Sequence, residues 1–189
     1  MKLPKPKIFV LTAFTFIAAL LVPFSGKGQD AQAEFYKKLA LLQKMVGRTA
    51  PSFTGTTLKG KELTREHLKG KIVVINFWFV GCPPCEEEMP LLNKLKDQYK
   101  KNSDIIFLSF ATTSKEKVQK YLLKQQFKYE TVPEAVEIAN RYNVSAFPSN
   151  FIIDKEGIVR FTSIGGQDDI DTYLDEKIKE VIEQPSFQK

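Results

Sequence analysis

One stretch of this chain leaves few folds open to it. Ile72, Val73, Val74 and Ile75 begin an apolar run that reaches Phe79, and it ends in Trp78-Phe79-Val80-Gly81-Cys82-Pro83-Pro84-Cys85. Consecutive β-branched residues with little polar alternation predict a strand buried on both faces, as in the centre of a parallel sheet. Immediately beyond, Met89, Leu92, Leu95 and Tyr99 recur at helical spacing, predicting a helix to about Lys101. Pro83 suits the first turn of that helix, where a missing N–H costs nothing. Pro90 falls inside it and is expected to kink it. Glu86, Glu87 and Glu88 sit in the early turns, favourable to the helix dipole. The only two cysteines of 189 residues therefore lie at a strand-to-helix junction. Unpaired N–H groups and the macrodipole at a helix start favour a thiolate over a thiol, so the pair reads as a redox dithiol.

Two other uses of the pair are weaker on physical grounds. A disulfide between Cys82 and Cys85 closes a very short loop, where loop-closure stabilisation is smallest, so it would be a poor staple. Two thiolates suit a soft ion such as Cu(I), but a zinc site usually wants four ligands and there is no other cysteine. His67 and the three methionines form no evident cluster with the pair. No metal and no cofactor is expected. The lone histidine, beside Arg65 and Glu66, reads as a solvated residue of a helical turn.

The N-terminus differs in kind from the rest. Lys2, Lys5 and Lys7 precede an uncharged apolar run of 17 residues, Ile8 to Phe24, and small residues follow up to Ala31-Gln32-Ala33. That order predicts a secretory signal over residues 1–28, with an uncleaved membrane anchor as the alternative, since 17 residues is short for a span. Either reading places the remainder outside the cytoplasm. Of the formal net charge of +6, four charges lie in this leader, and the segment from Gln29 onward carries 24 basic and 22 acidic residues. That balance implies no nucleic-acid surface.

After the leader, Phe35, Leu39, Leu42 and Met45 mark an amphipathic helix from Ala31 to Val46, an extension spanning residues 29–46. Turn signals at Gly55, Leu58-Lys59-Gly60 and Lys69-Gly70 divide the next stretch into loop and short strands. A second apolar strand is expected over Asp104 to Thr112. Thr113-Ser114-Lys115-Glu116 has the form of a capping box for a helix with Val118, Tyr121 and Leu122 inward. A short strand near Tyr129 to Val132 and a helix from Glu134 to Tyr142 come next. Lys155-Glu156-Gly157 separates two strand-like runs, a hairpin signature, and Ile170, Leu174, Ile178, Val181 and Ile182 pattern a closing helix over Asp168 to Glu183. Strands alternating with helices, then a hairpin and a helix, predict an α/β domain over 47–184. A central mixed β-sheet has helices on both faces, and residues 185–189 form a tail.

Three stretches together resemble the thioredoxin superfamily, and most closely the exported TlpA/ResA-like thiol-disulfide oxidoreductases with their AhpC/TSA relatives. They are Val74-Ile75-Asn76-Phe77-Trp78 through Cys82-Pro83-Pro84-Cys85-Glu86-Glu87-Glu88-Met89-Pro90; Phe147-Pro148-Ser149-Asn150-Phe151-Ile152-Ile153-Asp154; and Val46-Gly47-Arg48-Thr49-Ala50-Pro51-Ser52-Phe53. The resemblance implies a thioredoxin-like fold and a redox-active Cys82–Cys85 disulfide, with Cys82 the exposed nucleophile and Cys85 the buried resolving thiol. It implies that Glu88, one helical turn from Cys85, is a partly buried acid-base group of raised pKa, and that Asn76 replaces the buried aspartate of thioredoxin itself. Pro148 is implied to be a cis-proline facing the dithiol, with Phe147 and Trp78 beside the partner protein. Ser149 stands where the family usually has threonine. The implied partners are disulfide-bonded exported proteins or apocytochrome c, recharged by a membrane thiol donor, with the protein acting as a monomer. A thiol peroxidase is the nearest rival, but it requires a threonine three residues before its reactive cysteine, and Phe79 holds that place.

Overall fold

The computed structural model describes residues 27–183 apart from Gln167. Residues 1–26 of the expected leader, including the run 8–24, and the tail 185–189 lie outside the described residues, whereas Lys27 and Gly28 already belong to the first helix. Five strands form the central sheet in the order β5-β4-β3-β6-β7. They are β3 (Ile72–Trp78), β4 (Ile105–Ala111), β5 (Glu130–Val132), β6 (Ser149–Ile153) and β7 (Val159–Ile164). β3 is central, parallel to β4 and antiparallel to β6, and all seven of its residues are buried. β4 pairs in parallel with β5, and β6 and β7 form the expected hairpin around Gly157.

The period of two along β3 sorts its side chains between two cores. Val73, Ile75 and Phe77 point to a core shared with Leu42 and Met45, with Phe53, and with Ile138 and Ala139 of α4 (Val136–Arg141). Ile72, Val74 and Trp78 point to the other core. There they meet Met89, Leu92 and Leu95 of α2 (Pro83–Gln98), Val118 of α3 (Lys115–Leu122), and Ile170, Leu174 and Ile178 of α5 (Ile170–Glu183). Helices therefore cover both faces of a mixed sheet, as the alternation of elements predicts.

Several local readings are corrected. The first helix, α1, runs Lys27–Gln43 instead of ending at Val46, and Gly47, at φ +81°, ends the turn that follows. Only the C-terminal end of α1 reaches the core, so Leu42 is buried while Phe35 stays 40% exposed. Ile182, expected inward, is 48% exposed because it falls outside the stripe of Leu174, Ile178 and Val181. Gly55 is no turn: it lies in β1 (Thr54–Thr56), paired with β2 (Glu62–Thr64). A glycine is needed there for room, since a methyl on it would sit 2.6 Å from Val132 Cγ1.

Both edges of the sheet are occupied. Along β7, Gly47 N–H donates to Val159 O at 2.8 Å, Val159 N–H to Arg48 O at 2.9 Å, and Gln43 Nε2 to Thr162 O at 3.1 Å. Along β5, Leu58 N–H donates to Thr131 O at 2.9 Å. Covered edges deny pairing to other chains.

Gly55→Ala tests the close approach of β1 to β5. Glycine in a strand ordinarily loses to alanine by about 0.5–1 kcal/mol. Overpacking against Val132 reverses that sign here, and a loss of about 1–3 kcal/mol is expected from the denaturant midpoint. A neutral or stabilised variant would refute the contact.

Candidate active site

Local chemistry explains how β3 delivers the dithiol. The strand ends at Trp78, and Gly81 turns the chain at φ +88°, a conformation that other residues rarely adopt. Cys82 follows as N-cap of α2 with extended backbone (φ −100°, ψ 98°), Pro83 fills the first turn, and Cys82 O accepts from Glu86 N–H at 3.0 Å. Cys82 and Cys85 are joined as a disulfide, with their Cα atoms 5.3 Å apart. The loop between strand and helix is braced from β4's end. Thr112 N–H donates to Trp78 O, and Val80 N–H donates to Thr113 Oγ1, both at 3.0 Å. This corrects the capping-box reading: Ser114 is the N-cap of α3, no side chain caps it, and the Thr113 hydroxyl serves the redox loop instead.

Burial departs from expectation at the nucleophile. The resemblance implies an exposed Cys82, yet in this disulfide form Cys82 and Cys85 are each only 2% exposed. Both sulfurs belong to the core that holds Trp78, and Phe147 and Val80 pack against that core. Trp78 itself is wholly buried, with its ring centroid 5.7 Å from that of Tyr121 and 6.1 Å from that of Phe127. In this form it offers no surface to a partner, and its part is packing beside the dithiol. Burial first, then the charge of Glu86, pushes the Tyr121 phenol up to about 12.

The Phe147–Pro148 peptide bond is cis. The Phe147 ring meets that of Phe79 edge-on at 5.3 Å, so the proline loop lies against the loop leading into Cys82. Pro148 O accepts from Gly165 N–H at 3.0 Å, fixing this loop to the end of β7. Phe79, 36% exposed, is the exposed aromatic of the pair.

Glu88 is 1% exposed, unlike Glu87 on the helix surface. Its Oε2 lies 3.5 Å from Asn76 Nδ2 and 3.4 Å from Asn150 Nδ2, and Asn76 Nδ2 also donates to Asn150 Oδ1 at 3.0 Å. Tyr129 is close enough that the Glu88 charge, after burial, holds its phenol well above the usual range. Sequence reasoning missed Asn150, although it is polar at the start of an otherwise apolar strand. His67 is exposed on the one-turn helix Arg65–Leu68, where Nδ1 accepts from Thr64 N–H, as a solvated turn residue should.

A dithiol at a helix N-terminus, a cis-proline loop against it and a mixed five-stranded sheet define a protein disulfide oxidoreductase of thioredoxin-like fold. The chain belongs to the AhpC/TSA family, whose sequence profile matches residues 46–162. Among curated relatives, the thiol-disulfide oxidoreductase ResA of Geobacillus kaustophilus is 34% identical over 161 residues, covering 84% of this chain and 91% of the relative. ResA of Bacillus cereus is 36% identical over 123 residues, covering 65% and 71%. Among solved structures, a thiol:disulfide interchange protein of the thioredoxin family from Chlorobium tepidum matches with a TM-score of 0.61 at 27% identity, covering 71% of this chain and 95% of that one.

Thr113→Val tests the brace on the redox loop. Loss of the acceptor for Val80 N–H is expected to cost about 1 kcal/mol of stability. Amide exchange should accelerate at Val80, with no change at the far end of β3. Unaltered exchange at Val80 would show that the hydroxyl is dispensable.

Proposed function

We propose that this protein is an exported disulfide reductase. In its reduced form, Cys82 attacks a disulfide of an extracytoplasmic protein, and Cys85 then resolves the mixed disulfide. The observation that carries this reading is the placement of Cys82 at the N-cap of α2, with Cys85 and the buried Glu88 following at successive turns of the same helix. A thiolate at the N-cap is stabilised by the helix dipole, so Cys82 is the better nucleophile, and Cys85 needs a proton acceptor before it can attack. Glu88 shares Cys85's face of the helix and is that acceptor. The ResA-named relatives support the reaction class.

The partners we propose are exported proteins with disulfides, the haem-binding cysteines of apocytochrome c among them, with a membrane thiol donor restoring the dithiol. Export rests on the leader-like order of residues 1–28. The cis-proline loop offers the backbone of Phe147 to an extended partner segment by strand-like pairing. A peroxidase role is disfavoured by Phe79 in the position where a peroxide-binding threonine is required, and an absence of hydrogen peroxide consumption is expected.

Equilibration against glutathione tests the direction of electron flow. A potential nearer −270 than −120 mV is expected, and one at the oxidising end would make the protein an oxidase instead. Cys85→Ser should accumulate a mixed disulfide with glutathione disulfide, and Cys82→Ser should not. Glu88→Gln is expected to slow resolution by about 10²-fold and to flatten its pH dependence, and an unchanged profile would remove Glu88 from the mechanism.

A further inference from the structure

The strand register lines up one buried polar side chain on each of the five strands. Thr131 pairs with Ser109, Ser109 with Asn76, Asn76 with Asn150, and Asn150 with Ser163. Directly paired residues point to the same face, and the Asn76 contact with Glu88 shows that this is the face beneath α2. The row two residues back along β3 on that face is apolar: Phe107, Val74 and Ile152. Buried polar groups cost about 1–3 kcal/mol each when unsatisfied, and four of the five are bonded, the exception being the Ser163 hydroxyl at the β7 end, which has no hydrogen-bond partner among the described residues. One end closes on itself through the Ser109–Thr131 hydroxyl pair at 2.8 Å. The centre does not: Asn76 and Asn150 bond each other and turn their amides toward one oxygen, Glu88 Oε2.

We propose that Asn76 and Asn150 are positioning residues that hold the Glu88 carboxylate in place as the proton acceptor for Cys85. The inference rests on the exchange reaction proposed above and adds the residues that tune it. Burial alone favours a neutral carboxylic acid, which has no room for another proton, while donated hydrogen bonds favour the carboxylate. The amide pair therefore favours the form of Glu88 that can act as a base. In the step itself, Cys85 S–H gives its proton to Glu88. The resulting thiolate attacks Cys82 Sγ, the Cys82–Cys85 bond forms, and the bond from Cys82 to the partner sulfur breaks. The partner leaves as a thiolate that is protonated by water, and the two electrons of the dithiol have passed to it.

Other charged or titratable groups approach the same spot. Tyr129 comes from the segment before β5, and Cys82, Cys85 and Glu87 from α2 itself. Asp168, from the turn before α5, lines a cleft of about 290 Å³ together with Glu87, Glu88 and Pro84. The Lys94–Asp171 ion pair, at 2.6 Å, ties α2 to α5 further along. Against these, Asn76 Nδ2 and Asn150 Nδ2 are the amides that donate to Glu88 Oε2, at 3.5 and 3.4 Å.

The test measures the two half-reactions separately, with glutathione disulfide as the probe. The first step, Cys82 attack, is read in a Cys85→Ser background. The second, release of glutathione from the mixed disulfide, is read with Cys85 intact. Asn150→Leu is expected to slow the second step about tenfold at neutral pH and to raise its pH midpoint by roughly one unit, leaving the first step unchanged within about twofold. In a Glu88→Gln background the same substitution should have no further effect, because the two act through one group. Asn76→Ser and Asn150→Ser, which preserve a small donor, serve if the leucine variant does not fold, and an intermediate slowing is expected of each. Equal slowing of both steps, an unmoved pH midpoint, or full additivity with Glu88→Gln would overturn the positioning role. If the unsubstituted protein fails to exchange with glutathione disulfide at all, the exchange reading falls and this inference with it.

Discussion

Everything about the site depends on the pairing of β3 with strands on both of its sides. A strand bonded to β4 along one edge and β6 along the other has no freedom to slide or tilt, so its last residue, Trp78, is a fixed point. From that point only three residues intervene before Cys82. The position of the sulfur is thus set by the backbone ladder of the sheet, and the direction of the helix dipole behind it by the packing of Met89, Leu92 and Leu95 into the same core. Local elements then refine this placement. Gly81 supplies the turn, Pro83 starts the helix, and Thr113 pins Val80.

The same rigid centre solves an electrostatic problem. The carboxylate proposed to serve Cys85 is buried, and burial disfavours its charge. Here the solution is built into strand register: residues 76 and 150 face each other across the β3–β6 ladder, so two amides arrive together at Glu88. By the resemblance, Asn76 stands where thioredoxin itself has a buried aspartate. With the side chains placed, Asn76 donates to Asn150 Oδ1 and Glu88 Oε2, which under the proposed exchange makes it a positioning residue.

Much of this was legible in the sequence, and the failures have physical causes. The run from Ile72, the cysteine pair and the helical spacing beyond it identified the central strand and the redox turn, because long periodic segments carry their own signal. Phe147-Pro148 was recognisable by resemblance, whereas nothing in an isolated X–Pro dipeptide announces a cis bond. Gly55 misled because glycine marks both turns and close approaches, and only the neighbouring Val132 distinguishes them. Thr113 misled because its hydroxyl had two possible partners, a helix start close by and a loop distant in sequence, and the distant one won. Asn150 was invisible for the same reason, since its meaning comes from a strand 74 residues away in sequence. Exposure of Cys82 also depends on long-range packing, in which it joins the core of Trp78 and Met89 and Phe147 packs against that core.

The segment after α1 has a mechanical consequence. Residues 47–50 lie along β7 as a borrowed strand, attached through Val159 and Ile158. Val159 is level with Ile153 and hence with Val73, at the end of β3 remote from Trp78. Any pull transmitted along α1 is therefore loaded as shear on backbone hydrogen bonds roughly 16 Å along the strands from the end that carries the dithiol. A chain tugged from its N-terminus would strain the attachment to β7 first and its sulfur chemistry last.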